Sequence, residues 1–530
     1  MIQIIGHVGD VLYSICMKSC SPEDISLKSY FLGPQSEGSD FLRTTLVNLL
    51  DEYINWRRSL FPEDGTAISE TDRKNSKYLS NQNDLSALVN KLSNEFKKEI
   101  PHFSPRYMGH MFSETSLPGL LGHIAALLHN PNNISKESSS VGLKIESDAI
   151  KALCEMFHWK NGMGHLTSGG TLANIEALLR MRSRLSQDKW VTAKLLTSSA
   201  AHYSWKKGLK MLGFPESALL EVSLDQYGRI SISHLKIILK DIEDPILGLV
   251  TLFGSTERGS IDDIAGVNAV LAERKIKIWH HVDAAYGGFY ACVKNSSNSY
   301  LTKQTLALRK IDSLTLDPHK LGYVPYACGT FICRDSKKYF YNDIEAPYIQ
   351  FKSAKEVGFQ SIEGSRPATG AAATWLTAQS LGFNSKGLGR ILTMHLDAKK
   401  SFQRLLQKKV KGLLFTKGLD LNILCWTVIP ESRRLSKSNA WVNQIFHSLP
   451  LLDKKYFVSK TSLALKKHPW LRKQLEKEGF IFDSDTCHLI RMTLMNPFLM
   501  TKETQAKFTD DFADVLHAIS KSERPKGKSK

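Results

Sequence analysis

Lys320 closes the run Ser313-Leu314-Thr315-Leu316-Asp317-Pro318-His319-Lys320, and upstream of it lies His281-Val282-Asp283-Ala284-Ala285-Tyr286-Gly287-Gly288. A lysine that forms a Schiff base needs a fixed position at the end of a rigid element and surroundings that favour its neutral amine. A carboxylate at the end of a preceding strand can pair with a pyridinium nitrogen and keep it protonated, so that the ring accepts electrons from a substrate. Together the two residues read as the anchors of a pyridoxal phosphate (PLP) site.

Neither half is specific alone. A lysine after histidine is most often a solvated surface charge, and an aspartate after an apolar strand is most often a turn or a helix cap. Context changes the balance. Leu314 and Leu316 alternate with Ser313 and Thr315 until Asp317-Pro318 stops the strand, which puts Lys320 just past a strand end. Ile276, Ile278 and Val282 predict a strand that delivers Asp283 into a turn of small residues. A third piece is Thr167-Ser168-Gly169-Gly170-Thr171, ahead of a helical pattern with Leu172, Ile175 and Leu179 on one face. Glycines just before a helix let backbone N–H groups and a hydroxyl close around a phosphate, which the helix dipole also favours. The buried-strand run Gly248-Leu249-Val250-Thr251-Leu252-Phe253 ends in Gly254-Ser255-Thr256, hydroxylic residues at the end of the sheet where open α/β folds bind ligands. Thr251 is counted with Gly170 and Thr171 among the cofactor-binding candidates.

The order Thr-Ser-Gly-Gly-Thr at 167–171, Ala201-His202-Tyr203-Ser204, the Asp283 segment and Asp317-Pro318-His319-Lys320 resembles the group II PLP-dependent amino-acid decarboxylases, of fold type I. The resemblance covers roughly residues 100–500. Phe103-Ser104-Pro105-Arg106-Tyr107-Met108-Gly109-His110-Met111, Gly322-Tyr323-Val324-Pro325-Tyr326, Glu363-Gly364-Ser365-Arg366 and Arg491-Met492-Thr493-Leu494-Met495-Asn496-Pro497 are most similar to the bacterial tyrosine decarboxylase branch. The resemblance implies that Lys320 holds PLP covalently, Asp283 pairs with the ring nitrogen, His202 stacks on one face of the ring and Ala285 packs on the other. Gly170, Thr171 and His319 would contact the phosphate. Tyr326 matches a tyrosine that assists catalysis, with Tyr348, on the segment between Asp335 and Phe359, as the other candidate proton donor. His110 falls in a segment that approaches the substrate, although His102 lies close by. Tyr323 reads equally well as plain core.

The implied architecture is α/β, with a mostly parallel, seven-stranded-type sheet in a large domain. Alternating strands and helices from about 116 to 385 fit it. Residues 1–115 carry two apolar helical stripes, Leu42/Leu46/Leu49/Tyr53 and Leu85/Leu88/Val89/Leu92/Phe96, with no partner in the cofactor domain; in the family this segment packs across a homodimer. Residues 386–520 read as a small α+β domain containing the strand Asn422–Trp426. The basic stretch 521–530 has the composition of a disordered tail.

Composition sets the outer bounds. The 530 residues suffice for two or three domains, and 42% hydrophobic with 23% charged residues is ordinary for a globular chain. A net charge of +18 permits an acidic partner, but the basic residues are spread along the chain and form no nucleic-acid module. Eight cysteines without paired spacing point to reduced thiols and a cytoplasmic setting. No metal-ligand spacing or run long enough to span a membrane is visible, so neither a metal nor a membrane is expected. The expected reaction is decarboxylation of an L-amino acid to an amine and CO2, tyrosine first. The competing readings are glutamate decarboxylase, a PLP-dependent carbon–carbon lyase of the sphingosine-phosphate type, and a non-catalytic homologue, the last disfavoured by intact Lys320, Asp283 and His202.

Overall fold

The computed structural model describes residues 23–294, 298–340, 357–358, 360–499 and 504–522. Tyr348 and the basic tail beyond Ser522 lie outside these described residues. Twelve strands form two sheets among them: β1 (Tyr107–Met108), β2 (Met163–Thr167), β3 (Lys194–Ser198), β4 (Leu219–Val222), β5 (Ile246–Leu252), β6 (His280–Asp283), β7 (Ser313–Leu316), β8 (Gly329–Cys333), β9 (Leu413–Phe415), β10 (Ile423–Val428), β11 (Phe457–Ala464) and β12 (Thr486–Thr493).

The large sheet has the order β2-β8-β7-β6-β5-β3-β4. β8 runs antiparallel to both of its neighbours and every other pairing is parallel, so six strands share one direction. β6, β7 and β8 are buried along their whole length and β5 over all but its first residue, as expected for a sheet covered on both faces. The strand before Asp283 is shorter than the apolar pattern predicts. It begins at His280 rather than Ile276, because Lys275 turns with a left-handed φ of 55° and contact with β5 starts where the Trp279 carbonyl accepts from Leu249 N–H.

The smaller sheet, β1-β11-β12-β10-β9, draws its edge strand from far upstream: Tyr107–Met108 pairs in parallel with Phe457–Val458. Just beyond it, Ser116 caps the helix Leu117–His129 and its backbone N–H and hydroxyl both donate to the Tyr323 carbonyl, at 2.8 and 3.1 Å. The stretch from His102 to Ser116 is thereby strung between the small sheet and the turn that carries Lys320. The helix Leu117–His129 lies hard against the helix Thr369–Ser380; a Cβ on Gly122 would come within 2.7 Å of the Ala372 carbonyl oxygen. Earlier in the chain, the helices Ser39–Leu60 and Ser76–Phe96 contain no buried residue at all, and Leu85, Leu88 and Phe96 each remain more than half exposed.

Candidate active site

The C-terminal ends of the co-directional strands converge on one hollow, as open α/β sheets dictate. Asp283 ends β6, and the turn after β7 presents Lys320, held by Lys320 N–H to the Asp317 carbonyl (3.0 Å) and Val324 N–H to the Pro318 carbonyl (3.2 Å). The Lys320 ammonium nitrogen lies 2.9 Å from Asp317 Oδ2. Asp283 is buried and accepts from three N–H groups: Asn174 Nδ2 at 2.9 Å and Trp205 Nε1 at 3.1 Å on Oδ2, and the Ala285 backbone at 3.3 Å on Oδ1. Asn174 also donates to Ser204 Oγ (2.9 Å), which sits 2.8 Å from His202 Nδ1, and accepts from Thr315 Oγ1 (2.7 Å). One chain of contacts thus fixes the carboxylate and the histidine ring relative to each other. Burial lowers the pKa of His202, which favours a neutral ring, suited to stacking on a flat group.

These residues surround a cavity of about 600 Å³. At one end of it Ser168, Gly169, Gly170 and Thr171 open the helix Gly170–Ser183, whose N-terminus suits an anion. The loop is tight. A Cβ on Gly170 would stand 2.7 Å from Asp317 Oδ2, and one on Gly329 would stand 2.5 Å from the Gly169 backbone. Asp317 Oδ1 is buried without a hydrogen-bond partner. A glycine cradle for a phosphate, a buried carboxylate for a ring nitrogen and an amine for an aldehyde are the donor set that PLP requires, and the residues present fit it.

Gly170, Thr171, His202, Asp283, Ala285, His319, Lys320 and Tyr326 all line this one cavity. His319 Nδ1 faces the Cys328 carbonyl at 2.5 Å and its ring stacks on that of Tyr326, with centroids 4.1 Å apart. Surrounding protein pushes the Tyr326 hydroxyl up to about 12, with Asp317 and Tyr107 adding to the shift. Two expected residues stand elsewhere. Thr251 is fully buried, with Oγ1 2.9 Å from His280 Nε2, while its neighbour Leu252 lines the cavity. Strand alternation sends the two side chains to opposite faces, and the hydroxylic residues that line the hollow just past this strand end are Ser255 and Thr256. His110 is exposed and lies with its ring parallel to Phe112 at 6.4 Å, outside the lining of the cavity. Tyr323 is core, its hydroxyl donating to the Met495 carbonyl at 2.6 Å.

Four residues belong to the site without a role assigned from sequence, Asn174 and Trp205 outside any quoted motif and Ser204 and Asp317 within two of them. Asn174 is one helical turn beyond Gly170 and therefore returns to the same face, a readable spacing. Nothing in sequence pairs Trp205 with Asp283. The Arg366 of Glu363-Gly364-Ser365-Arg366 is a buttress: its guanidinium is buried, pairs with Glu146 and donates to the Leu166 carbonyl at 3.0 Å, just behind the glycine loop.

A family model described as the pyridoxal-dependent decarboxylase conserved domain matches residues 69–427. An L-tyrosine decarboxylase of Enterococcus faecium is 24% identical, over 93% of this chain and 98% of that protein. A probable L-tyrosine/L-aspartate decarboxylase of Methanococcus maripaludis is 30% identical over 54% of this chain and 68% of its own length. Among solved structures, mouse CSAD in apo form superposes with a TM-score of 0.69 at 18% identity, over 91% of this chain and 98% of that one. Oryza sativa TDC with PLP and tryptamine gives the same TM-score at 14% identity, with the same shares covered.

Proposed function

The chain belongs to the pyridoxal-dependent decarboxylase family, and from that premise we propose that it decarboxylates an aromatic L-amino acid, tyrosine first, as a cytoplasmic homodimer. The observation that carries this reading is a second cavity, of about 540 Å³, which shares Lys320 and Tyr326 with the first. Rings form much of its wall, beside the polar Ser113 and Glu114: His102 and Phe112 meet at 4.4 Å between centroids, and Phe112 meets Tyr326 edge-on at 6.0 Å. A flat apolar substrate side chain is matched there by surfaces of its own kind.

PLP, when bound, supplies an electron sink for the bond between Cα and the carboxylate. The chain's own residues supply the rest. Lys320 offers the amine that fixes the cofactor, and the Gly169–Thr171 loop offers N–H groups to its phosphate. Asp283, oriented by Asn174, Trp205 and the Ala285 backbone, would hold a proton at the ring nitrogen of the bound cofactor. CO2 departs with the carboxylate carbon, and the Cα it leaves must take up one proton. Tyr326 is a described residue placed to give it, since its ring lines the cavity beside Lys320 and its phenol is protonated at neutral pH. Tyr348 is the alternative donor. The exposed apolar residues of the helices Ser39–Leu60 and Ser76–Phe96 support a second copy as their cover. Six buried free cysteines among the described residues support a reducing compartment, and no helix among those residues is long and apolar enough to cross a membrane.

The test is to incubate PLP-loaded protein with tyrosine, phenylalanine, tryptophan, glutamate and aspartate, and to measure CO2 and amine. Tyramine and CO2 in equal amounts are expected from tyrosine. Turnover of the acidic amino acids alone would overturn the substrate reading. Sedimentation across nanomolar to micromolar concentrations checks the dimer, and full activity in a monomer would contradict it.

A further inference from the structure

The second cavity contains two polar groups that the protein itself leaves unmet. Ser113 Oγ and Glu114 Oε2 are both buried and neither has a hydrogen-bond partner. Glu114 is only 6% exposed; burial pushes its carboxyl up to about 7, against a lowering hydrogen bond from the Thr115 backbone, and Glu37 adds a like charge. A buried acceptor without a partner is uncommon in a folded protein, and because Ser113 and Glu114 both line the cavity, a side-chain rotation that admits a ligand donor would meet it. The rings of His102, Phe112 and Tyr326 dictate what kind of ligand reaches this point: a planar aromatic one.

We propose that Glu114, assisted by Ser113, reads a hydroxyl carried on the ring of the substrate: the phenolic O–H donates to Glu114 Oε2, and the phenolic oxygen accepts from the Ser113 hydroxyl. This deepens the reading of the site as an aromatic amino-acid decarboxylase and rests on it. The pair gives the site a preference in two directions. Phenylalanine fills the ring space but leaves both polar atoms unmet, and a site built for a hydroxyl penalises the analogue that lacks it. Aspartate or glutamate would bring a second carboxylate beside the Glu114 carboxyl in a poorly solvated space, where the two cannot both ionise without a cost.

The experiment compares kcat/KM for tyrosine and phenylalanine, and binding of tyramine and phenethylamine by calorimetry, in the PLP-loaded wild type, Glu114→Ala, Glu114→Gln and Ser113→Ala. The expected result is that Glu114→Ala lowers tyrosine turnover and tyramine affinity ~10–100-fold while phenylalanine and phenethylamine change less than ~3-fold. Glu114→Gln, which keeps an acceptor, should retain part of the preference. Should Glu114→Ala fail to take up PLP, Ser113→Ala and Glu114→Gln carry the same comparison of ratios. Equal losses for both ligands, or an unmoved ratio in an enzyme that still prefers tyrosine, would overturn the role of Glu114 and leave the decarboxylase reading standing. Turnover of aspartate or glutamate with neither aromatic accepted would overturn both.

Discussion

On one side of Lys320, Asp283 accepts from three N–H groups and the Asn174 side chain that holds it is itself held by Ser204 and Thr315. On the other side, Ser113 Oγ and Glu114 Oε2 lie buried with nothing to bond. The hydrogen bonds around Asp283 are complete before any ligand arrives, although Asp317 Oδ1 in the same cavity is unmet, so the Asp283 carboxylate keeps its geometry during the reaction, as preorganised electrostatics require. The second is completed by whatever enters it. The difference teaches which substitutions should abolish chemistry for every substrate and which should only change the choice among substrates.

The largest effect belongs to Lys320. Lys320→Ala should remove the visible absorption band of the bound cofactor and the label fixed by borohydride, and bring turnover of every amino acid below detection. Recovery of the reduced adduct on another lysine would move the anchor and dissolve the contrast between the two cavities. Asp283→Asn comes next. The amide keeps most of the shape, so PLP should remain bound, weakened by roughly 1.5–3 kcal/mol for the lost charge-assisted pair. It cannot hold a proton on the ring nitrogen, so turnover of all substrates should nearly vanish together. Near-normal activity would make Asp283 a structural cap.

Tyr326 stands at the border of the two cavities and tests whether they divide as sharply as their hydrogen bonds suggest. Tyr326→Phe should slow amine formation ~10²-fold by removing a positioned acid while leaving the ring on His319 in place. Carbonyl by-products in place of amine would fit a proton delivered late. Unchanged turnover would pass the role to Tyr348.

The same border separates what was legible in the sequence from what was not. Short-range patterns survive folding well. The Asp-Pro-His-Lys turn, the glycine loop and the His-Val-Asp strand end are each set by local backbone rules, and all three face one cavity. The two exposed helices ahead of residue 100 were also readable, because apolar stripes at helical spacing persist whether or not anything covers them. Residues that matter through partners distant in sequence were not readable. Trp205 meets Asp283 across 78 positions, and Tyr107–Met108 finds its strand partner in β11, pairings that only the assembled fold creates. His110 is a related case: its segment does approach Lys320, but the residues that line the cavity are Phe112, Ser113 and Glu114, two to four positions further along an irregular stretch.

Thr251 supplies the smallest expected effect and the sharpest check on where the cofactor region ends. Its type and its place near the end of β5 suggest a cofactor contact, yet its hydroxyl turns to His280 on the far face of the sheet. His280 is itself fixed by Asn268 Oδ1 at 2.9 Å on its other nitrogen, and burial lowers the imidazole to about 4, so the ring is neutral there. Thr251→Val keeps the shape and removes one buried hydrogen bond, which leaves His280 Nε2 without a partner. Stability should therefore fall by about 1–3 kcal/mol, measured by denaturant unfolding of the holoenzyme. The visible cofactor band and kcat/KM for tyrosine should stay within about threefold of wild type, because the face of β5 that meets the cavity is unchanged. A loss of PLP, or a fall in kcat/KM beyond tenfold without a loss of stability, would return Thr251 to the cofactor site and move the boundary of the preorganised region one residue down the strand.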